Sequence, residues 1–215
     1  MNNLALLNLS FKKMGVLFLV LLSYALNAQE DEEMNEKPGY YYDVIGQGKI
    51  GFLVPSAYGN NFIADGYDTW NGVNIEAQVN AGERLLLGLQ FQAFKGRVMD
   101  QELVGPINAS SITHFFVSAG YSLLENKNDF QIEATIGFGS ATLRNERDFR
   151  RFNDTGFAMM ASLNFSYRLN YWLGFYIGLQ NNWDFWSIER PSELDSVFGN
   201  TSIFSPSVGL KFYVL

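Results

Sequence analysis

The 215-residue chain has no cysteine, one histidine and five prolines. Without cysteine there is no disulfide, no thiol nucleophile, no thiolate metal site and no anchoring through a lipidated N-terminal Cys. One imidazole, His114, and scattered carboxylates do not make a metal-ligand cluster, so neither metal nor cofactor is expected. Basic residues are scarce: 15 Lys and Arg stand against 22 Asp and Glu, a formal charge of −7. An acidic chain with no basic cluster is not built to neutralise phosphate backbones, so no nucleic-acid partner is expected. After residue 28 there is no run approaching the ~20 apolar residues of a spanning helix. Yet 47% of the chain is hydrophobic and 16% aromatic. If that apolar content faces lipid, it must be hidden in alternation, because only helices and closed barrels satisfy their backbone polar groups inside a bilayer.

The first 28 residues are set apart. Lys12 and Lys13 precede an apolar run over residues 14–22, and residues 23–28 end in Leu-Asn-Ala. A basic region, a short apolar region and a small residue in that order are expected to form a cleaved secretory signal peptide, with Gln29 as the first mature residue. All 22 acidic residues and 13 of the 15 basic ones follow it. Residues 29–42 are expected to be an acidic solvated tail, carrying Glu30, Asp31, Glu32, Glu33 and Glu36. Residues 43–215 are expected to be one β-barrel domain.

Eight segments in that domain alternate with period two, so that each presents one apolar and one polar face. The first puts Ile50, Phe52 and Val54 on one side. Later ones set Val73, Ile75, Ala77 and Val79 against Asn74, Glu76 and Gln78, or Phe130, Ile132, Ala134, Ile136 and Phe138 against Gln131, Glu133, Thr135, Gly137 and Gly139. The apolar faces carry no charge, which matters because Lys or Arg facing lipid at mid-depth costs about 2–4 kcal/mol. The opposite faces carry Lys49, Glu76, His114, Glu133, Arg168 and Lys211 among glycines and small polar residues, as the narrow interior of an eight-stranded barrel requires. Leu53, Leu86, Phe116 and Met160 break this parity and are expected near strand ends or beside a glycine. The connections alternate in length: short at residues 80–83, 125–129 and 169–171, long near 56–69, 95–110, 143–155 and 187–202. Short turns on one rim and long loops on the other are the habit of membrane barrels. Trp70, Tyr121, Phe130, Tyr167, Tyr171, Trp172, Trp183 and Trp186 fall near the rims, where aromatic girdles are expected. The competing architecture is a secreted soluble β-sandwich, whose strands also alternate.

From about Tyr42 onward the pattern resembles the small eight-stranded outer-membrane β-barrel family, of the OmpA/OmpX-like kind. The Leu-Asn-Ala-Gln junction at residues 26–29 and the closing Gly-Leu-Lys-Phe-Tyr-Val-Leu at 209–215 are similar to Bacteroidota barrels. The family's usual final aromatic is replaced by Leu215. The resemblance implies an antiparallel up-and-down transmembrane barrel in the cell outer membrane. It also implies outer-membrane lipid as surroundings and insertion by the barrel-assembly machinery.

Three functions remain open at this point. The first is a structural or loop-mediated role, with four extracellular loops and an interior filled by ion pairs of Glu76 and Glu133 with Arg168, Lys211 and Lys49. Arg144, Arg147, Arg150 and Arg151 in the third loop are candidates for contacting lipopolysaccharide phosphates, since guanidinium binds phosphate bidentately, and a protein partner at the loops is the other option. The second is a lipid-modifying enzyme centred on His114, with a contact to Glu133 open to it; no catalytic residue is assigned. The third is a narrow pore for ions or small solutes. Gly137-Phe138-Gly139 lacks a third glycine at position 142 and sits in an alternating strand, so it is not read as a nucleotide loop.

Overall fold

The computed structural model describes residues 44–104, 107, 109–125, 130–147, 150–187 and 199–214. The signal peptide and acidic tail expected before residue 43, and Glu189, Glu193 and Asp195 of the fourth loop, lie outside the described residues. The chain forms one closed antiparallel sheet of nine strand segments: β1 (Gly46–Leu53), β2 (Ser56–Tyr58), β3 (Tyr67–Asn80), β4 (Leu85–Val98), β5 (Ala109–Glu125), β6 (Phe130–Arg147), β7 (Arg150–Arg168), β8 (Leu173–Trp186) and β9 (Asn200–Val214). β1 and β2 are one strand interrupted at Val54-Pro55, and both pair with β9. The barrel is therefore eight-stranded and up-and-down, and closure leaves no sheet edge for a soluble sandwich. Proline at this position is tolerated because the strand is broken there.

The register gives the stagger. A path perpendicular to the strands from Gln47 passes Gln78, Gly88, Ser118, Gly137, Met160, Asn182 and Ile203 and returns to the first strand at Ala57, ten residues further along. Such a shear over eight strands tilts them about 40° from the barrel axis. The outward faces carry Ile50, Phe52, Val73, Ile75, Ile136, Phe138, Ile177, Val208 and Leu210, all well exposed. Five outward positions per strand at this tilt make an apolar band about 25 Å tall, the span of an outer-membrane core.

The two short connections among the described residues, 81–84 and 169–172, are tight turns. In the one joining β3 to β4, Gly82 takes φ 147°, a conformation that favours glycine. At the opposite rim, the first long connection contains β2 and a helix, α1 (Phe62–Gly66), capped by the Asn61 side chain accepting from the Ala64 N–H at 2.9 Å. The second contains α2 (Gln101–Val104), and Val104 packs over Gly66. The third expected loop, 143–155, is corrected: Leu143 pairs with Asp154 and Arg147 with Arg150, so β6 and β7 run on as an extended hairpin. Its polar outward residues, Ser140, Thr142, Asn153 and Thr155, follow strand parity above the apolar band and so read as loop when apolar alternation alone is followed.

Six bulky inward side chains are each seated against a glycine of a neighbouring strand. Leu53 pairs with Gly72, Leu86 with Gly120, Phe116 with Gly139, Met160 with Gly137, Tyr176 with Gly209 and Trp186 with Gly156. The four parity exceptions thus stand where glycine makes room. A Cβ on Gly137 would lie 2.8 Å from the Met160 methyl. The Gly-Phe-Gly of β6 is a pair of sockets with a lipid-facing ring between them.

Candidate functional site

The interior is stacked in three tiers. The lowest, towards the turns, is ionic. Lys49 and Lys211 are direct register partners across the β1–β9 closure, both pointing inward and fully buried. Two ammonium groups side by side would repel. Glu133 reaches across from β6 to both, 2.9 Å from Lys49 Nζ and 2.6 Å from Lys211 Nζ, and Glu76 lies 3.3 Å from Lys49. The remaining valences are filled by amides: Gln47 donates to Glu133 at 2.8 Å and to Gln78 at 2.6 Å, and Lys211 donates to Gln131 at 2.9 Å. Two lysines and two glutamates make this tier neutral, as a buried cluster must be to stay affordable. Arg168 was expected to join Glu76 or Glu133 and, among the described residues, meets neither: its guanidinium lies over the Tyr213 ring, 4.0 Å from the centroid, at the turn-side mouth. A cavity of about 30 Å³ opens there, lined by Gln47, Arg84, Gln131, Glu133 and Tyr213 among others, with room for a water or two.

The middle tier is a chain of amides. Gln90 donates to Asn74 at 2.8 Å and to Gln180 at 2.9 Å, Gln180 to Asn182 at 2.6 Å, and Asn182 to Gln92 at 3.1 Å. Neutral amides both donate and accept, so such a chain satisfies itself without charge.

The upper tier is apolar, against the expectation of a polar filling throughout. Leu53, Trp70, Phe94, Ile112, Phe116, Leu143, Trp186 and Ile203 form a buried cluster, closed from above by Phe62 and Ile63 of α1. Trp70 and Trp186 were placed in the rim girdle and are inward instead; the Trp186 indole donates to Thr201 at 2.9 Å. Tyr121, Tyr167, Tyr171, Trp172 and Trp183 do face outward. His114 is embedded in the upper tier, stacked on Phe116 at 5.3 Å and near Phe94 at 5.5 Å. Its partner is Asp184, at 2.8 Å and wholly buried, rather than Glu133. The dyad holds a base and an orienting carboxylate, but among the described residues no hydroxyl hydrogen-bonds to His114, so the nucleophile of a hydrolytic triad is not assembled.

Asp184 is not singled out in the sequence, although it shares the inward parity of Gly174, Tyr176, Gly178, Gln180, Asn182 and Trp186, and that parity is the signal for it. Phe94 extends the series Gln90-Gln92, and Leu143 the series Gly139-Ala141, in the same way. Of the four candidate loop arginines, Arg144 is exposed on the outer face of β6, while the side chains of Arg147, Arg150 and Arg151 lie outside the described residues. Among the described residues there is no metal-ligand cluster and no helix long and apolar enough to cross a membrane.

By sequence the chain matches no protein-family description and no curated protein. By structure it is similar to neisserial surface protein A, at 11% identity and a TM-score of 0.58, over 78% of this chain and 94% of that one. It is similar to the outer membrane protein OprG of Pseudomonas aeruginosa, at 14% identity and 0.52, over 79% and 96%. It is also similar to Ail, the attachment invasion locus protein of Yersinia pestis, solved with the heparin analogue sucrose octasulfate, at 12% identity and 0.51, over 78% and 98%. With its closed eight-stranded up-and-down sheet and lipid-facing apolar band, the chain has the OmpA/OmpX-like fold of the small transmembrane barrels of outer membranes.

Proposed function

We propose that this chain is a sealed outer-membrane barrel that conducts nothing and works through its outer side, as a structural and interaction protein. The observation that carries this is the stack of buried side chains along the axis: Lys211, Tyr176, Asn182, His114, Ile112 and Ile203 are all essentially inaccessible. Ions or solutes would have to displace three tiers in turn, and an eight-stranded barrel has no spare width beside them. The α1 cap over the mouth supports the same reading. His114 and Asp184, enclosed by aromatic rings, are then a structural pair, and a lipid acyl group outside the wall has no path to them. The long hairpin of β6 and β7 reaches about 15–20 Å past the apolar band at ~3.4 Å per residue and a 40° tilt. It is the natural place for a partner at the surface, whether a protein or lipopolysaccharide.

The test is single-channel recording of the refolded chain in planar bilayers. A flat current trace is expected at salt concentrations that resolve porin steps. Regular conductance steps that change on neutralising Glu133 would replace this reading with the narrow-pore one.

A further inference from the structure

We propose that the outer ends of β4, β5 and β6 form a binding surface for the phosphorylated headgroup of an outer-leaflet glycolipid. The surface is set by register. One row runs Asn71, Lys95, Ser111, Arg144, Asn153 across five strands, every member pointing outward. The row beneath it runs Val73, Ala93, Thr113, Thr142, Thr155, and the next Ile75, Phe91, Phe115, Ser140, Phe157. Read from the membrane outward, the face passes from aromatic rings to hydroxyls to two cations within the length of one amphiphile.

Lys95 and Arg144 flank Ser111 on adjacent strands, so the cations stand about 10 Å apart along the row. Strand tilt places Lys95 nearer the apolar band and Arg144 farther out. Both side chains are long enough to close on one phosphate above Ser111, which adds a hydroxyl donor. The row holds no carboxylate. Asp68, one step further out, is paired with Arg97 at 3.6 Å. Among the described residues, the outward positions nearest this height on β8 and β9, Asn181, Trp183, Ser202 and Phe204, carry no cation. A general attraction to anionic membrane would not need three matched levels on one side of the barrel. A free phosphate would use the cations but neither the threonine row nor the rings. A phosphorylated glycolipid uses all three: acyl chains on Phe91, Phe115 and Phe157, sugar hydroxyls on the threonines, phosphate on Lys95 and Arg144.

This inference rests on the outward-working reading above, but its test does not depend on conductance. The detergent-folded chain is titrated with bisphosphorylated lipid A, with its dephosphorylated counterpart and with inorganic phosphate, and bound species are counted by native mass spectrometry. The phosphorylated lipid is expected to bind at least roughly tenfold tighter than the dephosphorylated one, the scale of one charge-assisted contact. Lys95→Gln with Arg144→Gln is expected to erase that preference while the unboiled chain still runs on a gel as a compact folded species that shifts on boiling. Ser111→Glu, which sets a carboxylate between the cations, is expected to do the same. Inorganic phosphate is expected to leave no adduct. Equal binding of the two lipids, or a preference that survives both variants, overturns the proposal. A phosphate adduct as stable as the lipid's assigns the row to a simple anion and overturns the lipid occupant.

Discussion

Glu133→Gln is the perturbation that most directly loads the ionic tier. Glutamine keeps the shape of the side chain and can still accept from Gln47, so the change is confined to charge. In the wild type one carboxylate holds Lys49 at 2.9 Å and Lys211 at 2.6 Å across the β1–β9 closure. Two ammonium groups bridged in this way stand on the order of 6 Å apart, and at an effective dielectric of ~20 their mutual repulsion is about 3 kcal/mol. With Glu133 neutral, only Glu76 remains, and it touches Lys49 alone. Leaving a buried cation unpaired typically costs about 3–5 kcal/mol. A loss in that range is expected, read from reversible urea unfolding in lipid vesicles by tryptophan fluorescence. Adding Lys211→Gln should restore part of it, because the repulsion disappears with the second cation, and the coupling across the double-mutant cycle should be about 1–3 kcal/mol. A loss below about 1 kcal/mol, or strict additivity, would refute Glu133 as the bolt of the closure.

Two further substitutions probe the other tiers by the same assay. Asp184→Ala strands a buried imidazole and is expected to cost about 1–3 kcal/mol; adding His114→Phe should regain part of that by completing an aromatic stack with Phe94 and Phe116. Gly137→Val fills the socket of Met160 and is expected to cost about 1–3 kcal/mol through overpacking, while Met160→Ala in the same chain should relieve it.

The barrel was legible because lipid imposes a rule on every outward position, and period-two alternation with uncharged apolar faces records that rule residue by residue. The same parity puts Lys49, Glu76, His114, Glu133, Arg168 and Lys211 on one face; the first four and Lys211 are buried, while Arg168 lies over the Tyr213 ring. Partnership was not legible. Which cation meets which acid depends on the stagger of the closed sheet, which brings Lys49 against Lys211 and turns His114 towards Asp184. Only the assembled register fixes such contacts between residues 70 or more positions apart. The apolar upper tier was missed for another reason. Trp70, Phe94, Ile112 and Trp186 continue the inward parity, but above the membrane band both faces of a strand escape lipid. There the hydrophobic face inverts: apolar residues turn in to form a core, and Thr113, Thr142 and Arg144 turn out to water and headgroups. Alternation locates a strand; which face is apolar depends on its height in the membrane.

That inversion gives the central measurement. The chain has four tryptophans, two outward, Trp172 and Trp183, and two inward, Trp70 and Trp186. Single-tryptophan variants would be folded into vesicles containing lipids with brominated acyl chains, which quench indoles on contact. Trp172 and Trp183 should be strongly quenched, and Trp70 and Trp186 should keep nearly their emission in unbrominated lipid. Quenching of Trp70 and Trp186 as strong as that of the outward pair would mean that the faces of the barrel have been assigned the wrong way round.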